Sequence, residues 1–173
     1  MEEIKFLSLL VTWKCNSRCA TCSIWNKKPT KELSLKQISK IFRDPMLKEL
    51  AEVVVSGGEP FLRTDLVEIV KSIYQNTKTS IGITTNGLLT ERVVNYIKKI
   101  LDEQIPVSIY ISLDGPDAET YEKTRGIAGG FEKTVRTMKS LSDLIQKGKF
   151  ELDTGLTILH LSLKFDNTLH YIE

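Results

Sequence analysis

Histidine, cysteine and excess charge are all scarce in this chain of 173 residues. Lysine and arginine total 24 against 22 aspartate and glutamate, a formal net charge of +2 with no long single-sign block. That balance argues against a protein held to nucleic acid or to a membrane surface by electrostatics. The only histidines, His160 and His170, stand near the end of the chain, so an imidazole-rich metal site is excluded. The apolar run Phe6 to Trp13 is too short to span a bilayer. Glu2 and Glu3 precede it where a secretion signal would carry basic residues, and the expected location is the cytoplasm. No repeat, linker or low-complexity stretch interrupts the chain, whose length suits roughly one domain at about 150 residues per domain.

The three cysteines, Cys15, Cys19 and Cys22, fall within one short segment. An odd, clustered set is a poor disulfide framework and points instead to metal or cofactor ligation in a reducing compartment.

Apolar periodicity alternates in a regular order. Strand-like runs at Phe6 to Thr12, Val53 to Val55, Ser80 to Thr85, Val107 to Leu113 and Phe150 to Ile158 are separated by four helical stretches. Ser34 is placed to cap the first helix, with Leu35, Ile38, Ile41 and Phe42 inward, and Asp44-Pro45 to end it. Leu66, Ile69, Val70, Ile73 and Tyr74 form the second stripe. Thr90 is the expected cap of the third helix, with Val93, Ile97, Ile100 and Leu101 inward. A long helix from Phe131 to Lys147 is expected to stop at Gly148.

Successive βα units imply a parallel sheet with right-handed crossovers. In the fourth strand Val107, Ile109, Ile111 and Leu113 share one face, and Ser108, Tyr110, Ser112 and Asp114 share the other. A doubly wound sheet, covered by helices on both faces, would be apolar on both. A polar face suits a lumen, so the expected fold is α/β, a partial (βα)6-type open barrel with about five βα units.

Four clusters punctuate the strand ends: Cys15-x3-Cys19-x2-Cys22, Ser56-Gly57-Gly58-Glu59-Pro60, Thr85-Asn86-Gly87 and Ser112-Leu113-Asp114-Gly115. Three thiolates on one loop can hold three irons of a cubane and leave the fourth open. The alternatives are structural zinc and unligated core thiols, although zinc normally takes four ligands. Each of the other clusters, alone, also reads as a turn. Together they follow the C-terminal ends of successive strands, the rim on which α/β barrels bind ligands, and they describe one site.

In order and spacing these motifs resemble the radical S-adenosylmethionine (radical SAM) superfamily, in the branch of molybdenum-cofactor, haem-modifying and peptide-modifying enzymes. The resemblance runs from Phe6 to Ile158 and implies a [4Fe-4S] cluster on Cys15, Cys19 and Cys22 with SAM on the open iron. It implies that Gly57, Gly58 and Glu59 meet the methionine amine, with Glu59 matching its charge, and it adds Asn86 of the third loop to the cofactor-binding set. Ser112 would serve the carboxylate or ribose, Asp114 the ribose hydroxyls, and Arg125 the carboxylate, against a plain surface role for that arginine. The activity implied is reductive cleavage of SAM to a 5′-deoxyadenosyl radical that takes hydrogen from a substrate. A reductant such as ferredoxin or flavodoxin is the implied partner.

Two features depart from the pattern. Thr21 stands where the superfamily usually has an aromatic residue, and Trp25 is the expected substitute cover. Six βα units, scaled from a ~250-residue eight-unit barrel, need roughly 190 residues. Residues 1–158 read as an incomplete core and 159–173 as a tail, either an edge strand or a truncation product, and a second chain completing the barrel is the functional expectation. A non-catalytic cluster- or SAM-binding remnant and a zinc-binding interaction module are the competing readings.

Overall fold

The computed structural model describes residues 4–28, 31–145 and 151–155, with residues 145 and 151–155 as backbone alone. The expectations for residues 146–147 of the last helix, for Gly148, for residues 150 and 156–158 of the fifth strand and for the tail at 159–173 lie outside the described residues. Strands β1 (Phe6–Thr12), β2 (Glu52–Gly57), β3 (Ser80–Thr85), β4 (Val107–Ser112) and β5 (Glu151–Gly155) form one sheet in sequential order, every neighbouring pair parallel. A doubly wound sheet reverses strand order at a switch point. This one does not, and the open, one-directional curl of a partial barrel follows.

Helices α1 (Leu35–Ile41), α2 (Leu66–Thr77), α3 (Thr90–Asp102) and α5 (Gly130–Ile145) pack in succession, α1 on α2, α2 on α3 and α3 on α5. Beneath them the outer face of the sheet is closed: Val53, Val55, Ile81, Ile83, Ile109 and Ile111 have no exposed surface. Each such side chain stabilises the fold by about 1.5–3 kcal/mol relative to exposure. The inner face is polar and open, as the alternation in β4 predicts, with Ser108, Tyr110 and Ser112 only half-buried. On β1 the same alternation leaves Phe6 and Leu10 exposed. Low on that face the Tyr110 hydroxyl donates to Glu52 at 3.1 Å, and its ring fills the space in which a Gly82 Cβ would stand 2.4 Å from Cε2.

Ser34 caps α1 in a full capping box with Gln37. Asp44 then caps a short turn, Pro45–Leu47, so the chain breaks where expected. Two expectations need correction. Thr90 is the first residue of α3 rather than its cap, and its hydroxyl is 2.7 Å from that of Thr137 on α5. A fifth α-helix, α4 (Ala118–Arg125), lies between β4 and α5 and packs on α5. Its buried face is Thr120, Tyr121, Thr124 and Arg125, too polar to produce an apolar stripe. Among the described residues, no helix is long and apolar enough to cross a membrane.

A candidate cofactor cleft at the strand ends

The loop after β1 carries the three cysteines and is held from two sides. From below, the Gly58 and Glu59 amides donate to the carbonyls of Thr12 and Lys14, both at 2.8 Å. From the side, the end of α4 offers carbonyls that have no partner inside the helix. Arg125 O accepts from Arg18 N at 3.0 Å and Thr124 O from Ala20 N at 2.8 Å. Gly126, in the left-handed region at φ 65°, permits this approach, because a Cβ there would lie 2.4 Å from the Arg18 carbonyl oxygen.

Cys15, Cys19 and Cys22 all line one cleft of about 150 Å³. Its other walls are Ser56, Gly57 and Gly58 after β2, Thr84, Thr85 and Asn86 after β3, Ser112 at the end of β4, and Arg125. Four strand ends and α4 thus meet at one place. Ser17, Ile24 and Trp25 complete the lining, and the Trp25 indole donates to Cys19 O at 3.3 Å. The aromatic residue expected as cover therefore sits on the cysteine loop itself. Cys19 is buried, Cys15 half-buried and Cys22 exposed. Burial pushes the Cys15 thiol up, the negative charges of Glu59, Cys19 and Cys22 add to that effect, and the Ser17 amide opposes it.

Among the described residues, no three His, Cys, Asp or Glu side chains are grouped to hold a single ion. A structural zinc needs such convergence, with sulfurs ~2.3 Å from one centre. Thiolates on separate irons of a cubane do not. The donor set, three soft sulfurs lining one cleft whose described lining holds no His, Asp or Glu, fits a cluster with one iron left open.

Glu59 is enclosed, and its carboxylate meets the end of β3. Its Oε1 accepts from the Phe61 amide at 3.1 Å and the Thr85 hydroxyl at 2.8 Å, and its Oε2 from the Asn86 amide at 2.8 Å. Burial raises its pKa above the ordinary carboxylate range, against those hydrogen bonds and the charge of Arg125. Asn86 continues the chain of contacts: Nδ2 donates to Asn16 Oδ1 at 2.8 Å and to Ser17 Oγ at 3.2 Å. One wire therefore runs from Glu59 through Asn86 to the cysteine loop. Its far side is braced by α5, where the Thr134 hydroxyl donates to Asn86 O at 2.9 Å and Thr137 to Gly87 O at 2.6 Å. Neither threonine carries a sequence signal, since both read as polar positions on an amphipathic helix. Ser17, 1% exposed, is the other residue whose part emerges only from the fold.

Asp114 is buried beneath Arg125, whose Nε lies 2.6 Å from Asp114 Oδ2 and whose Nη1 points at Cys19 Sγ at 3.5 Å. Arg125 is thus a buried site residue rather than a surface one, 8% exposed. Burial works to lower its pKa, but the Asp114, Cys19 and Tyr121 charges outweigh it and the net shift is upward. Outside the cleft, Arg63 forks onto Asp65 at 2.8 and 2.7 Å and donates to Val11 O and Leu33 O. Together with Glu32, which accepts from Thr12 and Trp13, it ties the end of β1 to the segment before α1.

Comparison with known proteins agrees with this geometry. A probable GTP 3′,8-cyclase of Methanococcus maripaludis strain C7 is 33% identical over 174 residues, covering 99% of this chain and 53% of that protein. The GTP 3′,8-cyclase of a Synechocystis species is 32% identical over 125 residues, 70% of this chain and 37% of that protein. The chain spans about half the length or less of these curated relatives. In fold it is similar to Streptococcus suis SuiB bound to S-adenosylmethionine, with a TM-score of 0.75 at 17% identity over 98% of this chain and 37% of that one. It is also similar to anSMEcpe with bound AdoMet and a peptide, at 0.69 and 21% over 96% of this chain and 48% of that one. Residues 9–166 match the radical SAM superfamily, whose enzymes use a [4Fe-4S] cluster and SAM, and the chain belongs to that superfamily.

Proposed function

We propose that this chain is the cofactor-binding core of a radical SAM enzyme, with Cys15, Cys19 and Cys22 as ligands of a [4Fe-4S] cluster and the cleft beside them as the SAM site. The observation that carries the reading is that all three thiols and the ends of four adjacent parallel strands line the same cleft. When bound, the cluster and SAM supply a one-electron cleavage that yields a 5′-deoxyadenosyl radical, which takes hydrogen from a substrate.

The chain's own residues bind and position. Gly57 and Gly58 present main chain to the methionine amine, with no side chain between the ligand and the backbone. Glu59 acts one layer back: its carboxylate fixes Thr85 and Asn86, and Asn86 fixes the cysteine loop. Ser112 faces the cleft and serves the carboxylate or ribose. Asp114 orients Arg125, which serves the SAM carboxylate. Ile24 and Trp25 cover the site and keep bulk water from a reactive intermediate.

Residues 1–158 form the core in this reading, and a second chain completes the open sheet. A one-electron donor of the ferredoxin or flavodoxin class is the partner in a cytoplasmic setting. The relatives' name makes GTP the first substrate to offer. Anaerobic reconstitution with iron and sulfide, followed by SAM and dithionite, tests the proposal. Four irons per chain and release of 5′-deoxyadenosine are expected. One zinc and no iron would leave a zinc module, and a cluster without cleavage would leave a binding remnant.

A further inference from the structure

We infer that Arg125 is a positioning residue for the cluster itself: its guanidinium donates to the sulfur of ligand Cys19 and raises the cluster's reduction potential, and Asp114 sets how strongly it does so. This rests on the proposed function, in which Cys19 is a cluster ligand.

Three observations converge on it. First, Arg125 Nη1 lies 3.5 Å from Cys19 Sγ, inside the range of an N–H to sulfur contact, and both residues are buried. Second, Nε of the same guanidinium lies 2.6 Å from Asp114 Oδ2, an ion pair without hydrogen-bond alignment, so a carboxylate and a sulfur both stand against the one buried cation. Third, the backbone of the same arginine accepts the Arg18 amide, next to Cys19, and Gly126 allows the two chains to touch. Arg125 cannot drift from Cys19 without also releasing the loop that carries it. The charges facing it are Asp114, Cys19, the Tyr121 phenol and Glu59.

Chemistry assigns the consequence. With three thiolates the [4Fe-4S] unit carries a charge of about −1 oxidised and −2 reduced, the added electron coming from an external one-electron donor. A fixed positive charge at the sulfur favours the more negative state, and hydrogen bonds to cluster sulfurs tune potential in the same sense. Asp114 opposes this by neutralising part of the guanidinium charge. The two residues therefore pull the potential in opposite directions.

The test is a potentiometric titration of the reconstituted protein followed by electron paramagnetic resonance, without SAM, so that a role of Arg125 toward SAM does not enter. Arg125→Gln is expected to shift the midpoint to a more negative potential and Asp114→Asn to a less negative one. Arg125→Lys keeps the charge but loses the planar fork, and its midpoint is expected between wild type and Arg125→Gln. If Arg125→Gln does not fold, the Lys and Asn variants carry the comparison. Unchanged midpoints, or shifts of the same sign for the Arg125 and Asp114 variants, overturn the inference. A wild-type chain that takes up no four-iron cluster overturns the proposed function instead.

Discussion

Replacing Gly58 with alanine tests how the cysteine loop is positioned, because the space for one methyl group is already taken by backbone. A Cβ at Gly58 would stand 2.1 Å from the Lys14 carbonyl oxygen and 2.6 Å from its carbon, with Trp13 O at 3.0 Å. Restoring ordinary contact requires the Lys14 peptide to retreat by roughly 1 Å. The Glu59 amide that donates to Lys14 O at 2.8 Å would then fall outside hydrogen-bond range, and the Gly58 amide on Thr12 O would be strained with it. Leaving one or two buried amides unsatisfied costs about 1–3 kcal/mol each, so Gly58→Ala is expected to lose roughly 2–5 kcal/mol, a large part of the ~5–15 kcal/mol a domain has. Cys15 is the next residue and moves with Lys14, so iron uptake should fall as well. Gly129→Ala is the control. It has nothing within 4 Å of its Cβ and only a left-handed φ of 65°, worth ~1–2 kcal/mol, and should leave iron uptake intact. Urea denaturation of the apo chain gives the first quantity and iron per chain after reconstitution the second. Gly58→Ala with wild-type stability and full iron loading would mean that the Lys14 carbonyl does not hold the cysteine loop in place.

Tyr121→Phe removes a buried hydroxyl 2.7 Å from Thr134, while Thr134 keeps Asn86 O; a loss of about 1 kcal/mol in urea midpoints is expected, with iron uptake unchanged. Glu59→Gln replaces one acceptor oxygen by a donor facing either Asn86 N or the Phe61 and Thr85 donors, and a loss of ~2–4 kcal/mol is expected; a neutral result would show that the carboxylate is dispensable. Asp65 is held below its ordinary pKa first by the hydrogen bonds from Arg63. Its stabilising share is present above the unfolded value and is lost as pH falls through the lower folded value. Asp65→Asn should therefore lose less stability than wild type between pH 5 and the acid limb below the ordinary aspartate pKa, read by urea unfolding at each pH.

Much of this architecture is legible in the residues. The alternation in β4 announces an open inner face, and sequential strand order bears it out. Ser34 is legible as a cap, and the structure adds Gln37 to make it a capping box. The four strand-end clusters mark the rim where the cleft lies. What the sequence hides is contact between distant residues. Helix α4 escapes because its inward side chains are threonine, tyrosine and arginine, chosen by the site they face rather than by an apolar core. The sequence marks Glu59 as the match for the methionine amine, but not the Phe61, Thr85 and Asn86 donors that enclose its carboxylate in the fold. Arg125 reads in the sequence either as a partner of the SAM carboxylate or as a surface residue at a helix end, and its burial shows only once α4 closes over the cysteine loop. Thr134 and Thr137 are ordinary helix positions whose partners, the carbonyls after β3, lie roughly fifty residues away.

Mössbauer spectroscopy of the anaerobically reconstituted chain reads whether three cysteines hold a cluster with one iron open to SAM. A four-iron signal is expected in wild type, absent in Cys19→Ala, with one iron in four changing environment when SAM is added. A four-iron signal that persists in Cys19→Ala, or a wild-type spectrum indifferent to SAM, would contradict that arrangement.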